Sequence, residues 1–464
     1  MTQNQEEYIY GNLYDLNADS LDVLILGNSQ AVYGFSPVEM YDYAGISAYS
    51  LGGSSAALMS NYYWMLETCK TQNPSLVILD VSGLLEPFRE HYERKRIDVM
   101  RYSMTKVENI LAMDGLAEDS LLSYFVPMLK YHSRWSELDE TDFGYGVDSD
   151  LTYRGQDLED YCRKGLHYNR MIIDDSDPEA NLREMYDYQV EYFDKIYTYC
   201  QENDMELLLV KTPKYSWIGS DAAQVQALAD SYGLTYIDFN WEAMLNAIGF
   251  DIDTDMKDMD HLNVKGAEKL SDWLCDYMRE NYELPDRRED EDFDLQINRE
   301  LYETERTDAY LCSTTDPVEW LTLLKKHTSC DIFLSTCGDV AGLVDDETAA
   351  LLADLGLKTD LNDLEEGYGF VAWLTNDGVS VEEAAASGYV RIKGTLDNGV
   401  AYQVVSRNRE NNKQSKQLID GEDQSVNTQG LNITVYDQEQ ELVIETVCID
   451  LETGEMTCVT RADS

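Results

Sequence analysis

Short apolar runs alternate with stretches of helical spacing through the first 285 positions. Asp22-Val23-Leu24-Ile25-Leu26 is the first run, and Gly27 ends it. Gly45 to Leu51 is the second, ended by Gly52-Gly53, and Leu76 to Val81 is the third. Such unbroken runs suit strands buried on both faces. Between them, Pro37 opens a short helix through Tyr43, where its missing N–H costs nothing. Leu58, Tyr62, Met65, Leu66 and Cys69 recur at helical intervals over 55–71, until Asn73-Pro74 breaks the pattern. Strand and helix alternating at this pitch predict an α/β fold with a doubly wound parallel sheet.

The alternation lapses over 84–175, a long insertion with helical stretches near 103–113 and 119–131. It resumes with a helix at about 178–203, a strand from Glu206 to Val210, a helix near 221–232 and a strand from Leu234 to Phe239. A last helix is expected over 264–282, with Asn263 as its N-cap. The charged run Pro285 to Asp292 then marks a boundary. The expected organisation is a first domain at 1–285, an acidic linker at 286–308 and a second domain at 309–464. In the second domain, helices are expected at 317–327 and from Asp345 to Leu355, and strands at 331–335 and from Tyr368 to Leu374. Strands at 389–395, 400–406, 415–420, 431–436 and 442–449 make it a β-rich α+β domain.

Composition narrows the function. The 464 residues carry 89 acidic and 35 basic side chains, a formal net charge of -54. That balance argues against nucleic-acid binding, which needs clustered Lys and Arg, and against adhesion to an anionic membrane surface. No apolar run has membrane-spanning length, and the polar start is no signal peptide. The nine cysteines include no CxxC pair, so zinc-ribbon and thioredoxin-like chemistry gain no support. Five of them follow residue 310, where one or two disulfides are possible. The 33 tyrosines suit either a sugar groove or a polar-edged core. Asp251, Asp253 and Asp255 alternate like calcium ligands, but Met256 and Leu262 stand where an EF-hand loop needs Gly and Glu. No cofactor and no metal are expected at these positions.

Two stretches carry candidate chemistry. Gly27-Asn28-Ser29 places a serine just past the first strand, and ligands of open α/β sheets bind outside the carboxyl ends of strands. Asp258-Met259-Asp260-His261 precedes the last helix. Serine needs a base to take its proton, and the base needs a carboxylate to fix its tautomer. Ser29, His261 and Asp258 supply these three parts. The backbone N–H groups of Ser29 and Gly52 would stabilise the developing oxyanion, since both follow adjacent strand ends.

Gly-x-Ser after strand one, glycine after strand two and Asp-x-x-His before the last helix resemble the SGNH (GDSL-like) hydrolase superfamily, over about residues 20–283. The chain looks closest to the branch serving bacterial envelope polysaccharides, relatives of alginate-acetylation and D-alanine-transfer proteins. The resemblance implies a flavodoxin-like sheet, Ser29 as nucleophile, Gly52 as an oxyanion donor, and Asp258 and His261 completing a triad. Two positions depart from the family pattern. Asn28 stands where Asp or Ser is usual, and Asp80-Val81-Ser82-Gly83 lacks the asparagine that usually follows strand three. Ser82, or His132 from the insertion, could replace that donor. Losing one such donor costs roughly 10²–10³ in rate. His132, Arg134 and Trp135 form a cluster suited either to lining a sugar site or to packing the insertion on the sheet.

Asp331-Ile332-Phe333, Leu355-Gly356-Leu357, Gly430 to Asp437 and Cys448-Ile449-Asp450 resemble an interleukin-like EMT-inducer (ILEI) domain over about 310–455, in permuted order. That likeness implies an accessory module, sometimes linked to carbohydrate binding. His327 reads as an exposed helix end. The expected function is an esterase or O-acyltransferase acting on acyl groups, acetyl above all, of an envelope or extracellular polysaccharide. The insertion is larger than an esterase needs and leans the expectation towards a transferase. The alternative is a non-catalytic glycan-binding or assembly protein that kept the fold. Expected partners are the acylated sugar and a membrane-bound O-acyltransferase. The resemblance implies an extracytoplasmic location and an N-terminal membrane helix, which this chain lacks.

Overall fold

The computed structural model of the chain describes residues 9–126, 152–153, 156–157, 183–252, 254–288, 299–327, 330–375, 380–409, 412–438 and 441–458. The chain divides into two compact units, Met1–Glu305 and Arg306–Ser464.

The first unit is built on five parallel strands: β1 (Val23–Leu26), β2 (Ala48–Leu51), β3 (Leu76–Asp80), β4 (Glu206–Lys211) and β5 (Tyr236–Asp238). Their spatial order is β2-β1-β3-β4-β5, all parallel. The order reverses beside β1, and a ligand crevice opens at such a switch point. All four β1 side chains are fully buried. Each such burial contributes about 1.5–3 kcal/mol relative to exposure, which fixes the strand end that carries Ser29. Helices α1 (Ser29–Gly34), α2 (Pro37–Ala44), α3 (Leu58–Thr68), α4 (Asp187–Glu202), α5 (Gly219–Tyr232) and α6 (Val264–Asn281) accompany the sheet. Ser36 and Asn263 cap α2 and α6 with side-chain oxygens that accept from Glu39 N and Gly266 N. The helix Glu90–Val99 was not expected, because its sequence is charged rather than amphipathic. Its Glu93 and Arg96 are fully buried and paired with each other, and Glu93 Oε1 also accepts from Ala57 N.

Four expected strands, β1, β2, β3 and β5, are trimmed at their ends, β2 and β5 most, by three residues each, and Gly45 to Ser47 lie outside β2. The helical stretch expected at 119–131 is observed only as Leu122–Phe125, with residues from 127 outside the described set. The start of the charged run belongs to the first unit. Arg287 Nη2 donates to Asp22 Oδ1 at 2.7 Å, and Arg287 N donates to Gly45 O at 2.8 Å. A helix, Arg299–Ser313, occupies part of the stretch expected as linker.

The second unit is a ten-stranded sheet with helices. Its central strand Cys330–Cys337 lies antiparallel between Gly430–Asp437 and Gly369–Leu374, and is buried along its whole length. Alternation assigns its two faces. Ile332 and Leu334 join a core with Trp320, Leu321 and Leu324 of the helix Pro317–Lys326. Phe333 joins a second core with Val390, Tyr402 and Val404. Asn432-Ile433-Thr434 matches a glycosylation sequon, but Asn432 is buried within a strand, its Nδ2 donating to Thr428 O. None of the eight described cysteines is in a disulfide. His327 is not an exposed helix end; it is only 3% exposed. Among the described residues, no helix is long and apolar enough to cross a membrane.

Gly430 enters the central strand pair at φ +123°, and a Cβ there would lie 2.1 Å from Ile449 O. Gly430→Ala is therefore expected to destabilise the second unit by about 1–3 kcal/mol. Guanidinium unfolding reads this directly, and an unchanged midpoint would mean that the strand pair relaxes freely.

Candidate active site

Strand β1 delivers the serine. Past Leu26, Gly27 O accepts from Asn61 Nδ2 of α3 at 3.0 Å, which pins the turn. Asn28 then caps α1, its Oδ1 accepting from Gln30 N at 2.9 Å. Asp, Ser and Asn all cap helices well, so Asn28 performs the local task of the residues more usual in the resembled family. Ser29 is the first residue of α1, and Gln30 to Gly34 behind it are buried. That short helix was not legible in the sequence, and it is what sets the direction of the serine.

The imidazole comes from a tight loop. Met256 bridges Leu262, and Lys257 N donates to His261 O at 2.9 Å. Asp258 Oδ1 accepts from Asp260 N at 2.8 Å and His261 N at 2.9 Å. Within this loop, His261 Nδ1 lies 2.9 Å from both Asp258 carboxylate oxygens. His261 Nε2 lies 2.8 Å from Ser29 Oγ. Nδ1 faces only acceptors, so it carries the proton, and Nε2 is left to accept from the serine. Burial pushes the Asp258 carboxyl up, but the His261 ring and two backbone N–H groups outweigh it and hold the group below its ordinary value. Tyr33 meets the imidazole edge-on at 5.0 Å between ring centres, and Lys257 Nζ sits 3.9 Å above the Tyr33 ring. About a fifth of the His261 side chain, 22%, remains open to solvent, so the pair is within reach of a substrate.

A buried polar network lies beneath. Gln30 Nε2 donates to Asp260 O at 2.5 Å, tying α1 to the histidine loop. Gln30 Oε1 accepts from Lys211 Nζ at 3.1 Å and Thr212 Oγ1 at 3.0 Å. Lys211 Nζ also donates to Thr212 O at 2.7 Å and stands 3.8 Å from Asp80 Oδ2. Asp80 completes the set, with Oδ2 accepting from Thr212 N and Oδ1 accepting from Ser82 N. The histidine loop is held a second time, because Ser216 Oγ donates to Asp260 Oδ1 and Tyr215 N to Met259 O. None of Gln30, Asn61, Asp80, Lys211 or Thr212 was singled out from sequence for such a role. The one signal was Lys211-Thr212 ending an apolar run where a fully buried strand has no need of a charge.

The other expected residues fall as follows. Gly52 packs against the serine turn, where a Cβ would come within 2.6 Å of Asn28 O and 2.8 Å of Val32 N. Any side chain there would push the turn aside. Ser82 follows β3, as expected, and its buried Oγ has no hydrogen-bond partner among the described residues. His132, Arg134 and Trp135 lie outside the described residues. In the acidic loop, Asp255 is buried and engaged by Lys269 Nζ at 2.6 Å and Asp251 N at 2.7 Å, while Asp253 is not among the described residues. A scan of protein-family models finds no match to this chain, and a search of curated proteins finds none.

Burial pushes the Lys211 ammonium down to about 8 from 10.5, against the pull of Asp80. A lysine whose folded-state pKa is depressed binds fewer protons folded than unfolded between those values. Stability therefore rises with pH from about 8 to about 10.5, and the penalty is fully present below about 8. Over that window wild type should gain about 3 kcal/mol relative to Lys211→Met. Urea unfolding of both proteins at pH 7.5 and 10 measures it, and parallel pH dependences would contradict a depressed lysine.

Proposed function

We propose that the protein is an SGNH-type serine esterase or O-acyltransferase that acts on acyl groups, acetyl above all, of an envelope or extracellular polysaccharide. The observation that carries the reading is the relay from Asp258 through His261 to Ser29 at the mouth of a parallel sheet, with contacts of 2.9 and 2.8 Å. These lie within hydrogen-bond reach of about 2.6–3.2 Å, the span over which a base takes a serine proton.

The cycle follows from the positions. Ser29 Oγ attacks the acyl carbon of an ester while His261 Nε2 takes its proton. The carbonyl π electrons move onto oxygen, where the Ser29 and Gly52 N–H groups stabilise the charge. Ser82 stands in the stretch after β3 where the resembled family has its asparagine, and its Oγ is buried. Collapse of the intermediate expels the alkoxide, which takes the proton from His261 and leaves an acyl-Ser29. Water or a sugar hydroxyl then gives its proton to His261 and attacks, and Ser29 departs with that proton. Asp258 stays ionised throughout and balances the imidazolium.

The sugar substrate, the extracytoplasmic location and a membrane-bound O-acyltransferase as acyl supplier come from the resemblance. Transfer outruns hydrolysis if a groove holds a sugar hydroxyl near the acyl carbon, since positioning of this kind is worth several kcal/mol.

A fluorophosphonate probe tests the nucleophile. Wild type should be labelled at Ser29, Ser29→Ala should not, and Asp258→Asn should slow labelling by about 10³–10⁴-fold. An acetyl-ester donor assayed with and without an acceptor oligosaccharide separates the two reactions. Acylated sugar formed by wild type and not by Ser29→Ala marks a transferase, and free acid at an unchanged rate marks an esterase. No labelling and no turnover across a donor panel would instead favour a glycan-binding protein on an inactive scaffold.

A further inference from the structure

A second cluster of reactive side chains lies in the second unit, apart from anything used above. Cys330 opens the central strand and is the direct register partner of Asp437 on the neighbouring antiparallel strand. Opposed residues of such a pair point to the same face of the sheet. His327, three residues before Cys330, follows the last turn of the helix Pro317–Lys326. Its Nδ1 is 3.2 Å from Cys330 Sγ. One donor atom from each of His327, Cys330 and Asp437 lies within 4.8 Å of the others. All three residues are nearly inaccessible, at 3%, 3% and 2% exposure. Asp308 Oδ1 approaches His327 Nε2 to 2.5 Å, and that nitrogen stands 3.5 Å from Cys330 Sγ, slightly farther than Nδ1.

We propose that His327, Cys330 and Asp437 bind a zinc-class divalent ion through Nδ1, Sγ and a carboxylate oxygen. Tetrahedral zinc with bonds of about 2.0–2.3 Å sets its ligand atoms roughly 3.3–3.8 Å apart, so the three donors are already nearly in place. A thiolate and an imidazole favour zinc over calcium or magnesium, which take oxygen ligands. Asp308 then occupies the position of an outer carboxylate that holds the free ring nitrogen of a metal-bound histidine and fixes its tautomer. It is a positioning residue, not a ligand. Because the donors come from a helix end, a central strand and its neighbour, the ion would join three elements of one core. The fourth position is left to water.

The test uses the full chain, stripped of metal and kept reduced, with millimolar Mg²⁺ present to occupy surface carboxylates. Zinc should bind at one equivalent per chain, and Co²⁺ in its place should give the intense near-ultraviolet band of a thiolate ligand. Asp308→Asn should weaken zinc binding by about 10–100-fold. Cys330→Ser should abolish the thiolate band and weaken binding at least as much. Because Cys330→Ser could fail to fold, zinc protection of Cys330 from alkylation is also read in wild type by mass spectrometry. Binding no tighter than to surface carboxylates, a cobalt spectrum without the thiolate band, or a Cys330 alkylated equally with and without zinc would each overturn the proposal.

Discussion

A lysine with no solvent exposure sits directly beneath the candidate site, and its surroundings are arranged to keep it there. A buried ammonium is costly unless hydrogen-bonded and paired. Here the Gln30 amide, the Thr212 hydroxyl and carbonyl and the Asp80 carboxylate surround it. Each of these partners has a second task. Gln30 follows the serine and reaches the carbonyl of Asp260, one residue from the histidine. Asp80 ends β3 and receives the N–H of Ser82. The same charge that is hard to bury thus ties together the ends of β1, β3 and β4 and the histidine loop. Accuracy at Ser29 and His261 depends on this network, because side chains reach catalytic geometry only when their supports are fixed.

The sequence made the sheet legible because its strands lie in short, mainly apolar runs, with glycine directly after β1 and β2. It made Ser29, Asp258 and His261 legible because each stands beside a strand end or a helix cap that local rules can locate. The seven strands expected in the second unit were readable within a few residues, and Ser380–Ala385, Glu422–Asp423 and Met456–Cys458 went unrecognised, the first of them the longest. That segment, Ser-Val-Glu-Glu-Ala-Ala, carries neither an apolar run nor alternation strong enough to mark it.

What stayed hidden is the burial of polar residues, which only the folded chain reveals. The helix Glu90–Val99 looks like a solvated charge run, yet Glu93 and Arg96 compensate each other in the interior. His327 looks like a polar helix terminus, and only the fold brings Asp308 and Cys330 to it. Lys211 reads as a strand end, and only the packed sheet shows that its ammonium never reaches water. In each case a polar residue is buried because a specific counterpart meets it, and single-sequence periodicity carries no record of that counterpart.

The contact between Gln30 and Asp260 joins positions 230 residues apart. During synthesis, the strand and turn bearing Ser29 leave the ribosome long before the loop bearing His261. Until that loop arrives the serine is an ordinary alcohol with nothing to accept its proton. On the proposed function, the nascent protein would carry Ser29 without its base until the segment through α6 docks. Truncated products that end before that segment would lack the histidine altogether, so the contact between Ser29 and His261 is a property of the finished domain alone.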